Sequence, residues 1–176
     1  MRVYSLTRRQ QGITLIEVLI AILIFSVGLI GLAGLLVFAT QSNHSAYLRT
    51  QVTFLANSMA DRMRANPAGV WKNAYNSDDY PVSITTVPDC ASGCDPADVA
   101  THDQALWSSM LTGFLPGGKA KIQCTDTSLV YKPGDDQMAM RPPYGGNCSM
   151  TITWNQRGVA DDRSAKPETF AWVFQP

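Results

Sequence analysis

Arg8-Arg9-Gln10-Gln11-Gly12-Ile13-Thr14-Leu15-Ile16-Glu17-Val18-Leu19-Ile20 decides the fold of this chain of 176 residues. A basic, polar leader ends at Gly12, and an apolar run begins on the next residue. Glu17 is the only formal charge between Arg9 and Arg49. A carboxylate at the centre of a membrane helix costs about 2.5–3.5 kcal/mol on insertion scales, so it calls for a partner. No basic side chain lies near it in sequence. The fitting partner is an α-amine, which a cut between Gly12 and Ile13 exposes at Ile13.

The run Ile13–Ala39 covers 27 residues, interrupted only by Thr14, Glu17, Ser26 and small residues. As a helix it extends roughly 40 Å at about 1.5 Å per residue, more than the roughly 30 Å hydrocarbon core of a bilayer. It is expected to span a membrane with length to spare. A secretory signal fits poorly, because its apolar region is shorter and its cut site lies beyond that region. Arg2, Arg8 and Arg9 favour a cytoplasmic N-terminus, which sends the rest of the chain, beyond the apolar run, out of the cytoplasm.

Past Ala39 the pattern changes without a break. No Pro or Gly occurs from Thr40 to Asn66, so the helix is expected to continue. Leu48, Val52, Leu55, Met59 and Met63 recur at helical spacing and make a stripe along one face, until Pro67 and Gly69 end it. The chain thus divides into a leader (1–12), a transmembrane helix (13–39), an amphipathic continuation (40–66) and a globular head (67–176).

In the head, residues 67–94 are rich in turn formers and read as a long surface connection, with a short strand expected at Val82–Val87. A second helix follows, with Asp95 as N-cap, Pro96 at the first helical position and Asp98 complementing the dipole. Val99, Leu106, Trp107, Met110 and Leu111 lie near one of its faces, and Gly113 or Pro116-Gly117-Gly118 stops it. Lys119–Cys124 and Ser149–Trp154 alternate as strands, and Thr169–Phe174 is β-prone and aromatic. Turn chemistry marks Pro133-Gly134-Asp135-Asp136 and Pro142-Pro143-Tyr144-Gly145-Gly146. The fold class expected is α+β: a long N-terminal helix packed against a small C-terminal antiparallel sheet.

Cys90, Cys94, Cys124 and Cys148 all fall in the exported part. An even count in an oxidising compartment reads as two disulfides, with three pairings open. An antiparallel hairpin of 119–124 and 149–154 brings Cys124 to Cys148, and Cys90 and Cys94 then close a small ring. The spacing C-x3-C followed by two isolated cysteines lacks the paired knuckles of a zinc site, so neither metal nor cofactor is expected.

The precursor has 14 basic and 14 acidic side chains; without the three leader arginines 11 basic remain against 14 acidic. That balance lacks the footprint of a general nucleic-acid binder.

Gly12-Ile13-Thr14-Leu15-Ile16-Glu17 with the helix after it resembles a type IV prepilin. In that family a membrane peptidase cuts after the glycine and methylates the new amine. The resemblance implies cleavage between Gly12 and Ile13 and N-methylation of Ile13. The family's usual residue there is Phe, so Ile13 is a departure. Phe54-Leu55-Ala56-Asn57-Ser58-Met59-Ala60-Asp61-Arg62-Met63-Arg64-Ala65-Asn66 resembles the end of the long helix in PilV-type minor pilins. Cys94-Asp95-Pro96-Ala97, Asp103, Trp107 and Leu115-Pro116-Gly117-Gly118 resemble the stretch that follows it. This resemblance implies a low-abundance subunit that helps start pilus assembly, serving adhesion and twitching motility. Its implied partners are other minor pilins, the major pilin, the prepilin peptidase and an inner-membrane assembly platform. Its head would lie in the periplasm before the subunit enters the filament.

Glu17 lies four residues past Ile13, about 6 Å along a helix axis. An axially shifted neighbour is expected to place its Ile13 amine beside this carboxylate, where low dielectric strengthens the attraction; the bland alternative pairs Glu17 with its own amine. Gly28, Gly31 and Gly34 allow close helix approach or local unwinding, or reflect the frequency of glycine in membrane helices.

Among other functions, an anchored enzyme would need His44 or His102, and neither sits in a nucleophile motif. Asp78-Asp79, Asp135-Asp136 and Asp161-Asp162 lack EF-hand spacing and read as solvated turns. A type II secretion pseudopilin is the runner-up. A tip adhesin or DNA-uptake pilin is a third reading, resting on Trp71, Tyr75 and Tyr80 as exposed aromatics, against which core packing is the simpler account.

Overall fold

The computed structural model describes residues 12–126, 130–157 and 165–176. The helix α1 runs unbroken from Leu15 to Ala65, 51 residues. After it come α2 (Pro67–Trp71), β1 (Ser77–Tyr80), α3 (Pro96–Phe114), β2 (Lys119–Thr125), α4 (Asp135–Met138), β3 (Asn147–Arg157) and β4 (Ala165–Phe174). The chain divides into two compact units at Ser42/Asn43. The first is the apolar helix, in which every residue from 12 to 42 is exposed.

The second unit holds the rest of α1, the other helices and one antiparallel sheet of order β1-β2-β3-β4. The five expected stripe residues of α1 are all buried, joined by Ala56 and Ala60. They meet the inward residues of the sheet: Ala120, Ile122 and Cys124 on β2, and Cys148, Met150, Ile152 and Trp154 on β3. Alternation along β2 and β3 puts these on one face and Lys119, Lys121 and Ser149 on the other, the period-two pattern of a half-buried sheet.

Cys124 stands directly opposite Cys148 in the ladder, and a disulfide joins them. A second joins Cys90 to Cys94. The small ring lies immediately before α3, whose N-cap Asp95 accepts from the amides of Ala97 and Asp98 at 2.9 and 2.8 Å. Gly117, at φ +62, turns the chain from α3 into β2, and a Cβ there would strike the Asn155 side chain.

Four expectations need correction. Pro67 does not leave the chain irregular: it opens α2, with Asn66 as N-cap accepting from Gly69 N at 3.1 Å. No strand forms at Val82–Val87; the strand is Ser77–Tyr80, pairing with β2 through an irregular register. Val82 N donates instead to Ser108 Oγ at 3.1 Å, so this segment is held by α3 rather than by a ladder. Asp135-Asp136 opens the short helix α4 instead of lying in a turn. On α3 the buried face carries Ala100, Asp103, Trp107, Ser108 and Leu111, whereas Leu106 is exposed and Val99 and Met110 are half-buried.

Buried polar groups lock α1 to α3. Arg62 Nη1 donates to Asp103 Oδ1 at 2.6 Å, and Tyr75 OH donates to Asp103 Oδ2 at 2.8 Å. Asn66 Nδ2 donates to Tyr75 OH at 3.1 Å and to Pro96 O at 2.7 Å. Trp107 Nε1 reaches the carbonyl of Leu55 in α1 at 2.9 Å. Tyr80 OH donates to Tyr75 O at 2.8 Å, and its ring stands edge-on to Trp107. Burial pushes the Tyr75 and Tyr80 phenols well above the usual tyrosine range, because a low-dielectric site disfavours the phenolate.

Candidate assembly site at the N-terminal junction

Gly12, Ile13 and Thr14 precede α1 as exposed, non-helical chain. The amides of Glu17 and Val18 bond to the carbonyl of Thr14 at 3.1 and 3.3 Å, which closes the first turn. Glu17 is thus in the first turn of α1, where a carboxylate complements the helix dipole. The Thr-x-x-Glu spacing, Thr14 to Glu17, is a helix-start pattern in sequence, but the bonds that close this turn are main-chain ones to the Thr14 carbonyl. Among the described residues, no cationic group or hydrogen-bond donor meets the Glu17 carboxylate. Ile13, Glu17, Val18, Ala21, Ile22 and Phe25 share one flank of the helix, so the charge sits on an otherwise apolar, uncovered surface. Of the leader, only Gly12 is among the described residues; Arg2, Arg8 and Arg9 lie outside them.

The remaining candidates occupy different places. All four cysteines are held in the two disulfides. Among the described residues, no group of three or more His, Cys, Asp or Glu side chains is arranged to hold a metal ion. His44 is exposed on α1, and His102 Nδ1 lies 3.0 Å from the carbonyl of Pro88, pinning the connection before α3. Asp78 forms an ion pair with Lys121 across the β1–β2 ladder, and that ammonium holds its carboxyl below the ordinary range. Asp161-Asp162 lies outside the described residues. Tyr75 and Tyr80 are fully buried, and Trp71 is half-buried with its indole N–H on Pro142 O at 3.1 Å. These aromatics are packing residues of the head, not an exposed binding surface.

Sequence reasoning missed the Arg62–Asp103–Tyr75–Asn66 network. Its only trace in the chain is a carboxylate spaced three and four residues from the apolar positions Ala100 and Trp107.

The chain matches the family of the prokaryotic N-terminal methylation motif over residues 7–33. No curated protein and no solved structure matches it. The matched stretch contains the junction, Glu17 and the first part of α1, a helix long and apolar enough to cross a membrane. With a helix of this kind and a small α+β head behind the motif, the protein is type IV pilin- or pseudopilin-like.

Proposed function

We propose that this chain is a minor pilin of a type IV pilus, nearest to the PilV type, which helps initiate assembly alongside other minor pilins. It is made as a prepilin in the inner membrane, cut between Gly12 and Ile13 by the prepilin peptidase, and methylated on the Ile13 amine. The assembly platform then lifts it from the membrane, and the Glu17 carboxylate receives the amine of an adjacent subunit. The observation that carries this reading is Glu17 itself: a carboxylate on an exposed apolar helix, without a partner among the described residues. An intersubunit amine offsets the desolvation of both charges at once. An apolar helix exposed all round also needs other helices once it leaves lipid.

N-terminal mass spectrometry of the protein, with pilus counts in a deletion strain, tests the proposal. The expected result is an N-terminus at methylated Ile13 and a deletion strain with few pili. An uncut leader overturns the prepilin reading. Intact piliation with failed protein secretion overturns the pilus role in favour of the secretion pseudopilus. Replacing Glu17 with Ala is expected to lower incorporation into sheared fibres about tenfold or more, as loss of one desolvated charge pair implies, while membrane insertion is retained.

A further inference from the structure

The two disulfides sit in opposite surroundings. Cys124–Cys148 joins ladder partners inside the core, where the two residues are 6% and 0% exposed, and its cysteines are 24 positions apart. Cys90 and Cys94 are four apart and only half-buried, and the residues their ring encloses, Ala91, Ser92 and Gly93, are all exposed. The ring lies in a stretch, 81–95, that forms neither helix nor strand. Gly93, at φ +104, turns it, and the Gly93 amide donates to the Cys90 carbonyl at 3.1 Å. Closing so short a loop removes less freedom from the unfolded chain than closing a long one.

A thiolate opens the disulfide it can reach. Cys94 borders a surface cleft of about 280 Å³ between the end of α1, the start of α3 and α4, with Asn66, Pro96 and Met138 on its walls. The ends of the ring are held independently of the bridge. On one side the Pro88 carbonyl lies 3.0 Å from His102 Nδ1, and on the other the Pro96 carbonyl accepts from Asn66 Nδ2 at 2.7 Å. Opening the bridge therefore loosens 89–95, which ends at the α3 cap Asp95. The rest of the head keeps its contacts, Cys124–Cys148 among them.

We propose that Cys90–Cys94 is a thiol–disulfide exchange site, opened and closed in the folded protein by a dithiol protein of the compartment that holds the head. One thiolate of that dithiol attacks Cys94 Sγ. A new S–S bond forms, the bond to Cys90 breaks, and Cys90 leaves as a thiolate that water protonates. The second sulfur of the dithiol, also as thiolate, attacks its own partner sulfur in the mixed disulfide and releases Cys94, which is protonated in turn. Two electrons pass to this chain, and the reductant departs as a disulfide. A protein disulfide closes the ring by the same steps in reverse. This inference goes beyond the pilin assignment and stands apart from it.

The full chain in detergent, with both disulfides formed, tests this by treatment with dithiothreitol, acid quenching, alkylation and peptide mass spectrometry. Cys90 and Cys94 are expected to become labelled about 100-fold faster than Cys124 and Cys148, whose exposure waits on unfolding. Equal rates, or earlier opening of Cys124–Cys148, overturn the proposal. With mercaptoethanol in place of the dithiol, the trapped adduct is expected on Cys94; an adduct on Cys90 overturns the assignment of the attacked sulfur. Hydrogen–deuterium exchange is expected to quicken about tenfold over 89–95 once the ring is reduced, and quickening throughout the head overturns the local opening. Producing cells quenched directly in acid are expected to hold a fraction with Cys90 and Cys94 reduced and Cys124–Cys148 closed. A ring closed in every molecule from cells overturns exchange with a cellular dithiol, however fast it opens in detergent. None of these readouts depends on whether the chain enters a filament.

Discussion

One helix, α1, is two different objects along its length. From Gly12 to His44 every residue is exposed, although most are Leu, Ile, Val, Phe or Ala. From Leu48 to Met63 a single stripe of seven residues is buried and the opposite face is polar. The backbone is the same; what differs is where each stretch finds its apolar surroundings. The head half finds them in its own chain, and the amphipathic period tells which face does so. The first half finds none among the described residues, and an apolar helix exposed all round calls for lipid or other helices. Burial within one subunit is therefore a poor measure of how much an apolar residue of this protein matters.

Matched substitutions break or sharpen that contrast. Leu55→Ala, in the centre of the buried stripe, is expected to destabilise the head by about 2–5 kcal/mol, measured by denaturant unfolding of the full chain in detergent. Removing the β2–β3 bridge with Cys124→Ser and Cys148→Ser together is expected to cost about 2–4 kcal/mol in the same assay. An effect near zero would mean that the ladder alone fixes the hairpin. Asp103→Asn should cost about 1–3 kcal/mol, because it leaves Arg62 without its carboxylate. If Asp103→Asn were neutral, the lock between α1 and α3 would be apolar and rest on Trp107.

Tyr75 and Tyr80 give the head a pH signature. Their phenols lie well above the usual tyrosine range in the folded state, and unfolding returns them to about 10. The unfolded chain then loses protons that the folded chain keeps. Stability is therefore full below about pH 10 and falls as pH rises above it. A titration of unfolding free energy should show that decline, and Tyr80→Phe should make it shallower. Smallest of all, Leu29→Ala in the exposed half is expected to change head unfolding by less than about 0.5 kcal/mol. A larger change would show that the head depends on that segment.

Much of this was legible in the chain because local chemistry and tertiary context agree. Asp95-Pro96 caps α3 as its residue types require, the stripe from Leu48 to Met63 is buried, and Cys124 faces Cys148 because the strands on either side alternate. The junction around Gly12 was readable because a lone carboxylate among aliphatic residues has few meanings. The failures share a cause. Ser77–Tyr80 is a strand of poor propensity, which pairing with β2 overrides. Val82–Val87 looks β-prone but is held to Ser108 and His102 of α3 through Val82 N and Pro88 O. Asn66-Pro67 carried both a cap and a first-turn proline, yet the helix before it masked the signal. The buried face of α3 was misjudged because Asp103, a polar residue, occupies a core position and shifts the face by one residue.

The cross-strand bridge between Cys124 and Cys148 has a consequence for how this protein can be altered. It ties off the mouth of the long excursion between β2 and β3, so the alignment of those strands does not depend on how many residues hang beyond the knot. Within that excursion Val130, Tyr131 and Lys132 are exposed whereas Pro133 and Tyr144 are buried, so a foreign epitope is better grafted at the former than at the latter.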